Sequence, residues 1–157
     1  MSYNRLEGKV CIITGGTTGI GRAVSKIFAD EKATLIMVNK YAEGGEEYAA
    51  ELGKDVYFKV CDISKEDDVI RFMQWVDEKF GRIDVLFNNA ALSISNSIEK
   101  TDLSCWDRTM ETNARGCFLM CKYGLELLKR SEHGSIINTG SELAVVGCEA
   151  NLAYNSS

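Results

Sequence analysis

The feature that most constrains this chain is the alternation of two unlike kinds of segment. Short continuous apolar runs at residues 9–14, 34–38, 56–60, 83–87 and 135–139 are separated by stretches whose apolar residues recur at helical spacing. A continuous run has no solvent-facing side, so strands built from it need cover on both faces of their sheet. The amphipathic stretches between them can supply that cover. The pattern predicts an α/β fold with a doubly wound parallel sheet and helices on both faces. In the first helix Ile20, Ala23, Val24, Ile27 and Phe28 are predicted to face the core. A second helix is expected at 43–52, stopped by Gly53, and a third at 65–80, closed by Gly81. The third turns Val69, Phe72, Met73, Val76 and Phe80 inward. Asp102 or Ser104 is expected to cap a long helix with Trp106, Met110, Asn113, Cys117, Cys121 and Leu128 on one face. A last helix is expected to start near Ala150.

The 157 residues contain no linker or low-complexity segment, so residues 1–157 read as one domain. A formal net charge of -5 argues against a nucleic-acid partner, which needs a basic surface. No run approaches the ~20 apolar residues that span a bilayer, and no apolar stretch follows Met1 to Arg5 as in a secretory leader. No membrane association and a cytoplasmic location are therefore expected. The six cysteines lie mostly in apolar runs and read as reduced packing residues. Cys117 and Cys121 share a helix face, but the single histidine, His133, is remote in sequence, so no metal site is expected.

Between the first run and the first helix stands Thr14-Gly15-Gly16-Thr17-Thr18-Gly19-Ile20-Gly21. Glycines there let the backbone turn sharply and approach a pyrophosphate, and the helix N-terminus offers free N–H groups to the anion. Position after a buried strand and before a helix is what gives the motif its weight. Further along, Asp62-Ile63 follows the third strand, Asn88-Asn89-Ala90 the fourth and Ser141 the fifth. Residues at such strand ends border the ligand crevice of an open α/β sheet. Taken alone, Asp62 could also cap the third helix, a task to which Ser64 is better suited.

With Asn113 in the long helix and Tyr154 near the end, these motifs resemble the short-chain dehydrogenase/reductase family over essentially the whole chain. The resemblance implies a Rossmann-type fold with the family's strand order 3-2-1-4-5-6-7, of which the fifth strand is expected to be an exposed edge here. It implies that Gly15, Thr17, Thr18, Gly19, Ile20, Gly21, Asp62, Ile63, Asn88, Asn89 and Ala90 bind a nicotinamide dinucleotide. It also implies that Tyr154 exchanges the proton, Ser141 hydrogen-bonds the substrate oxygen and Asn113 helps to hold a relay water. Ala91 stands where the family usually has glycine and is expected to crowd the nicotinamide side slightly. Asn39 and Lys40 follow the second strand, where the cofactor ribose is read. A neutral amide and a cation there favour NADP(H), with NAD(H) possible.

The implied activity is reduction of a carbonyl compound or oxidation of an alcohol, and the implied assembly a homo-dimer or homo-tetramer of the full-length protein. The sequence stops one position before the lysine that in this family holds the nicotinamide ribose and makes the tyrosine more acidic. The chain thus reads as the front of such an enzyme, with the strands beyond the fifth missing. The alternative reading is a naturally short, inactive dinucleotide-binding protein.

Overall fold

A computed structural model of the chain describes residues 3–157. Strands β1 (Val10–Thr14), β2 (Thr34–Asn39), β3 (Val56–Val60), β4 (Val85–Asn88) and β5 (Ser135–Asn138) form one sheet in the order β3-β2-β1-β4-β5. All pairings are parallel, with Ile12 flanked by Ile36 and Leu86, and Phe87 opposite Ile137. The alternating pattern and the implied order as far as the fifth strand are both realised. The sheet grows outward from β1 in two directions, so a crevice opens where its order switches between β1 and β4.

Helices α1 (Gly19–Asp30), α2 (Gly45–Leu52) and α3 (Glu66–Phe80) connect the first four strands. One long helix then runs through α4 (Leu103–Met110), a π-helical segment at Glu111–Gly116 and α5 (Cys117–Lys129), and the short α6 (Leu152–Asn155) follows β5. Successive strand residues serve opposite faces. Val10, Ile12, Ile36, Val38 and Leu86 pack with Val69, Phe72 and Val76 of α3 and with Leu119, Met120 and Leu127 of α5. Cys11, Ile13, Leu35, Met37 and Phe87 pack with Val24 and Phe28 of α1 and with Tyr48 and Ala49 of α2. This two-sided cover is why the strand sequences are continuously apolar.

Several expectations need correction. In α1, Ile20 and Ile27 are 64% and 53% exposed and Ala23 is exposed too, whereas Gly21 and Ser25 are buried. Val24 and Phe28 do pack inward as expected, but near the glycine turn the helix comes so close that small residues lie beneath it, and Ser25 Oγ donates to the Gly16 carbonyl at 2.9 Å. The second helix begins at Gly45 because Gly44 adopts a left-handed φ of 67°. The third begins at Glu66, with Lys65 at the cap position and no side-chain cap, so Ser64 does not cap it. The fourth strand is shifted to Val85–Asn88.

Asp102 does cap the long helix, accepting from the Cys105 amide at 2.7 Å. Leu128 is buried as expected, but the rest of the buried line is Cys105, Thr109, Gly116, Leu119, Met120, Gly124 and Leu127. Glycines draw that flank inward: a Cβ on Gly116 would meet Ile63 Cγ1 at 2.7 Å. Trp106, Met110, Asn113, Cys117 and Cys121 are half-buried on the adjacent flank.

At the end of the sheet away from the crevice, Asp84 accepts from the Val10 amide at 2.7 Å, Arg82 Nε at 3.1 Å and Ser131 Oγ at 2.5 Å. All six cysteines are free, and burial pushes the Cys11 and Cys61 thiols up to about 12.

Candidate active site

The approach from β1 to α1 is fixed by backbone geometry. Gly15 and Gly19 have φ of 69° and 51°, a region that L side chains rarely occupy. A Cβ on Gly21 would lie 2.0 Å from the Gly15 carbonyl oxygen and 2.7 Å from Asn89 Nδ2. Thr18 occupies the cap position of α1 in an extended conformation but makes no side-chain cap, and the first turn has no acidic residue. By contrast, α3 carries Glu66, Asp67 and Asp68 in its first turn. The N-terminal N–H groups and positive dipole end of α1 are thus left for an external anion. Thr14 Oγ1 accepts from the Asn89 and Ala90 amides, both at 3.0 Å, and ties the end of β4 to that of β1.

A cleft of about 780 Å³ opens beyond the carboxyl ends of these strands. Gly15, Thr17, Thr18 and Ile20 line it from the glycine turn and α1, and Asn39, Lys40, Asp62 and Ile63 from the ends of β2 and β3. Ile20 is exposed because it faces this cleft rather than the core. Asn39 Nδ2 donates to Thr17 Oγ1 at 2.6 Å, while Asn39 Oδ1 is buried without a partner. Lys40 Nζ lies 2.9 Å from Asp62 Oδ2, and Asp62 Oδ1 accepts from the Ser64 amide at 3.1 Å and from Ser64 Oγ at 2.7 Å. Burial alone would raise the Asp62 carboxyl, but Lys40 and Ser64 outweigh it and hold it below the usual range. The same hydrogen bond raises the Lys40 ammonium.

Sequence reasoning missed part of this wall. Tyr41 and Glu43 line the cleft from the loop after β2, and Arg108, Glu111 and Thr112 line it from the long helix. The available signal was helical spacing: Arg108 and Thr112 are four apart, on one face.

A smaller cavity of about 160 Å³ adjoins the cleft and gathers Asn88, Asn113, Ser141 and Tyr154. Asn88 therefore borders this cavity and not the large cleft. Its Nδ2 donates to Asn138 Oδ1 at 2.9 Å and to Cys121 Sγ at 3.3 Å, and its buried Oδ1 has no partner. Cys117 Sγ also donates to Asn138 Oδ1, and burial pushes this thiol up to about 11. Asn113 projects from the π-helical segment, accepting from the Leu92 amide at 2.8 Å and donating to the Leu92 carbonyl at 3.0 Å and Ser157 Oγ at 2.8 Å. Ser141 Oγ accepts from the Leu143 amide at 3.2 Å. Ile63, Asn89, Ala90 and Ala91 line both cavities, so one wall separates them.

Among the described residues no cluster of three or more His, Cys, Asp or Glu side chains could hold a metal ion. No helix among them is long and apolar enough to cross a membrane.

Residues 9–157 match the sequence profile of the family described as short chain dehydrogenase. The chain belongs to the short-chain dehydrogenase family, a family of oxidoreductases. It is 38% identical to short-chain dehydrogenase reductase 5 of Arabidopsis thaliana, over 100% of this chain and 62% of that protein. It is 35% identical to D-threitol dehydrogenase of Mycolicibacterium smegmatis, over 98% and 60%, and 33% identical to tropinone reductase-like 1 of Erythroxylum coca, over 99% and 58%. The chain spans about three-fifths of the length of these relatives.

Proposed function

We propose that these residues form the dinucleotide-binding part of an NAD(P)(H)-dependent oxidoreductase acting on a small alcohol or carbonyl compound. One observation carries the reading. The N-terminus of α1 has neither side-chain cap nor acidic residue, and it opens into the large cleft beside a turn whose Gly21 cannot accept a Cβ. A pyrophosphate fits such a site, because backbone N–H groups reach it directly. The unpartnered Asn39 Oδ1 fits a ribose hydroxyl, which can donate to it.

In this reading Gly15, Thr17, Thr18, Gly19, Ile20 and Gly21 hold the phosphates. Asn39 and Lys40 face the adenosine ribose, Asp62 and Ile63 the adenine, and Asn88, Asn89 and Ala90 the approach to the nicotinamide. The bound cofactor would supply or accept the hydride. Tyr154 would exchange a proton with the substrate oxygen, Ser141 would hydrogen-bond that oxygen, and Asn113 would position the proton relay. Neutral Asn39 beside cationic Lys40 favours NADP(H), and the Asn39 acceptor also suits NAD(H). A homo-dimer or homo-tetramer of the full-length protein and a cytoplasmic location belong to the same proposal.

Titration of the chain with NADPH and with NADH, followed by nicotinamide fluorescence, tests the binding step. Thr18→Asp caps α1 and places a carboxylate where the pyrophosphate would sit. It should weaken both cofactors about tenfold or more without lowering the melting temperature. Unchanged affinity in this variant would sink the reading.

A further inference from the structure

We infer that Asp62 sets the cofactor preference indirectly, by competing with a cofactor 2′-phosphate for the Lys40 ammonium. The inference rests on the dinucleotide reading of the large cleft. Lys40 is the cation next to Asn39, the residue that faces the ribose in that reading, yet its Nζ is only 2.9 Å from Asp62 Oδ2. The two partners are unequal. The Asp62 side chain is 17% exposed and fixed through its other oxygen by Ser64, whereas the Lys40 side chain is 53% exposed on a flexible stem. Lys40 can therefore leave, and Asp62 cannot follow it.

Two states result. With a 2′-hydroxyl, Asn39 Oδ1 accepts from the ribose and the Lys40–Asp62 pair stays intact. With a 2′-phosphate, Asn39 Oδ1 meets a group that does not donate, and Lys40 reaches the phosphate only by leaving a half-buried carboxylate unpaired. Arg108 lines the same cleft and repels the Lys40 ammonium, while the ion pair of Asp62 is with Lys40. The cation that favours NADP(H) in the sequence is thus partly spent on Asp62, and discrimination between the cofactors is muted.

The test uses two probes that differ only at the 2′ position, adenosine 5′-monophosphate and adenosine 2′,5′-bisphosphate. Their dissociation constants are measured by calorimetry, and the ratio of the first to the second reports preference for the phosphate. Loss of an adenine contact cancels in that ratio. Asp62→Asn should raise it about fivefold, the equivalent of one partly exposed ion pair. Lys40→Met should lower it, and Asp62→Asn should then add nothing in the Lys40→Met background. An unchanged ratio in Asp62→Asn overturns the inference. So does an equal rise with and without Lys40, which would mean simple repulsion between Asp62 and the phosphate. Lys40 is at the surface, so its variant keeps the test open even if Asp62→Asn folds poorly. Failure of the unmodified chain to bind either probe overturns the dinucleotide reading and this inference with it; a deviant pattern among the variants overturns the inference alone.

Discussion

Asp84 carries the clearest energetic prediction at the scale of single residues. Burial alone would raise its carboxyl, but hydrogen bonds from Ser131, the Val10 amide and Arg82 outweigh burial and hold it below the usual range. A lowered folded pKa means stability that is present above the unfolded carboxyl value of ~3.9 and is lost as pH falls through the folded one. Asp84→Asn should cost about 2 kcal/mol at pH 7, and the difference from the unmodified chain should shrink below pH ~4. Urea unfolding at pH 7 and pH 3 measures both, and cofactor affinity should not change, since Asp84 lies at the opposite end of the strands. A constant difference across that range would contradict the assignment. Nothing in the sequence marked Asp84, whose partners come from three separate segments. Lys40 and Asp62 were each marked in the sequence, but their pairing was not, since they meet across two loops. Gly15, Gly19 and Gly21 were legible because their role is local: each answers to a backbone angle or a close approach within its own turn.

Among the elements, strands and helix ends were legible wherever one residue type does the work. Asp102 caps α4 and Gly81 closes α3 with a φ of 73°. The buried flank of α1 was legible only in part: Val24 and Phe28 pack against the sheet, but the apolar period also pointed to Ile20, Ala23 and Ile27, whereas the residues fully buried beneath the helix are Gly21 and Ser25. The π-helical segment at Glu111–Gly116 was not legible either, since a shift in hydrogen-bond step has no compositional mark. That segment presents Asn113 to both backbone groups of Leu92. Asn113→Ala should therefore loosen the 91–96 loop, leaving two polar groups unpaired at about 1–3 kcal/mol each. Amide exchange at Leu92 should accelerate at least about tenfold. Protection equal to that of the unmodified chain would show that the carboxamide is not what anchors the loop.

For the molecule as a whole, the sheet order was legible through the alternation of segments and the family resemblance together. The two ends of the sheet differ in cover. Among the described residues β5 is paired only with β4, and Ile136 and Ile137 are 42% and 45% exposed. Ile137 faces the side occupied by α1 and α2, which cover the other end of the sheet. An apolar strand edge of this kind is a template for further pairing. A chain of these 157 residues should associate as its concentration rises, and Ile137→Lys should shift sedimentation back toward 17.4 kDa. Equal sedimentation of the two would place the contact elsewhere. The wall shared by the two cavities has a different kind of consequence. Ile63, Asn89, Ala90 and Ala91 belong to the large cleft and to the Tyr154 cavity at once. A descendant of this gene could not inherit a new fit for one molecule there without altering the fit for the other. Lineages that change substrate are therefore expected to vary the loops around Tyr154 and to leave this strip alone.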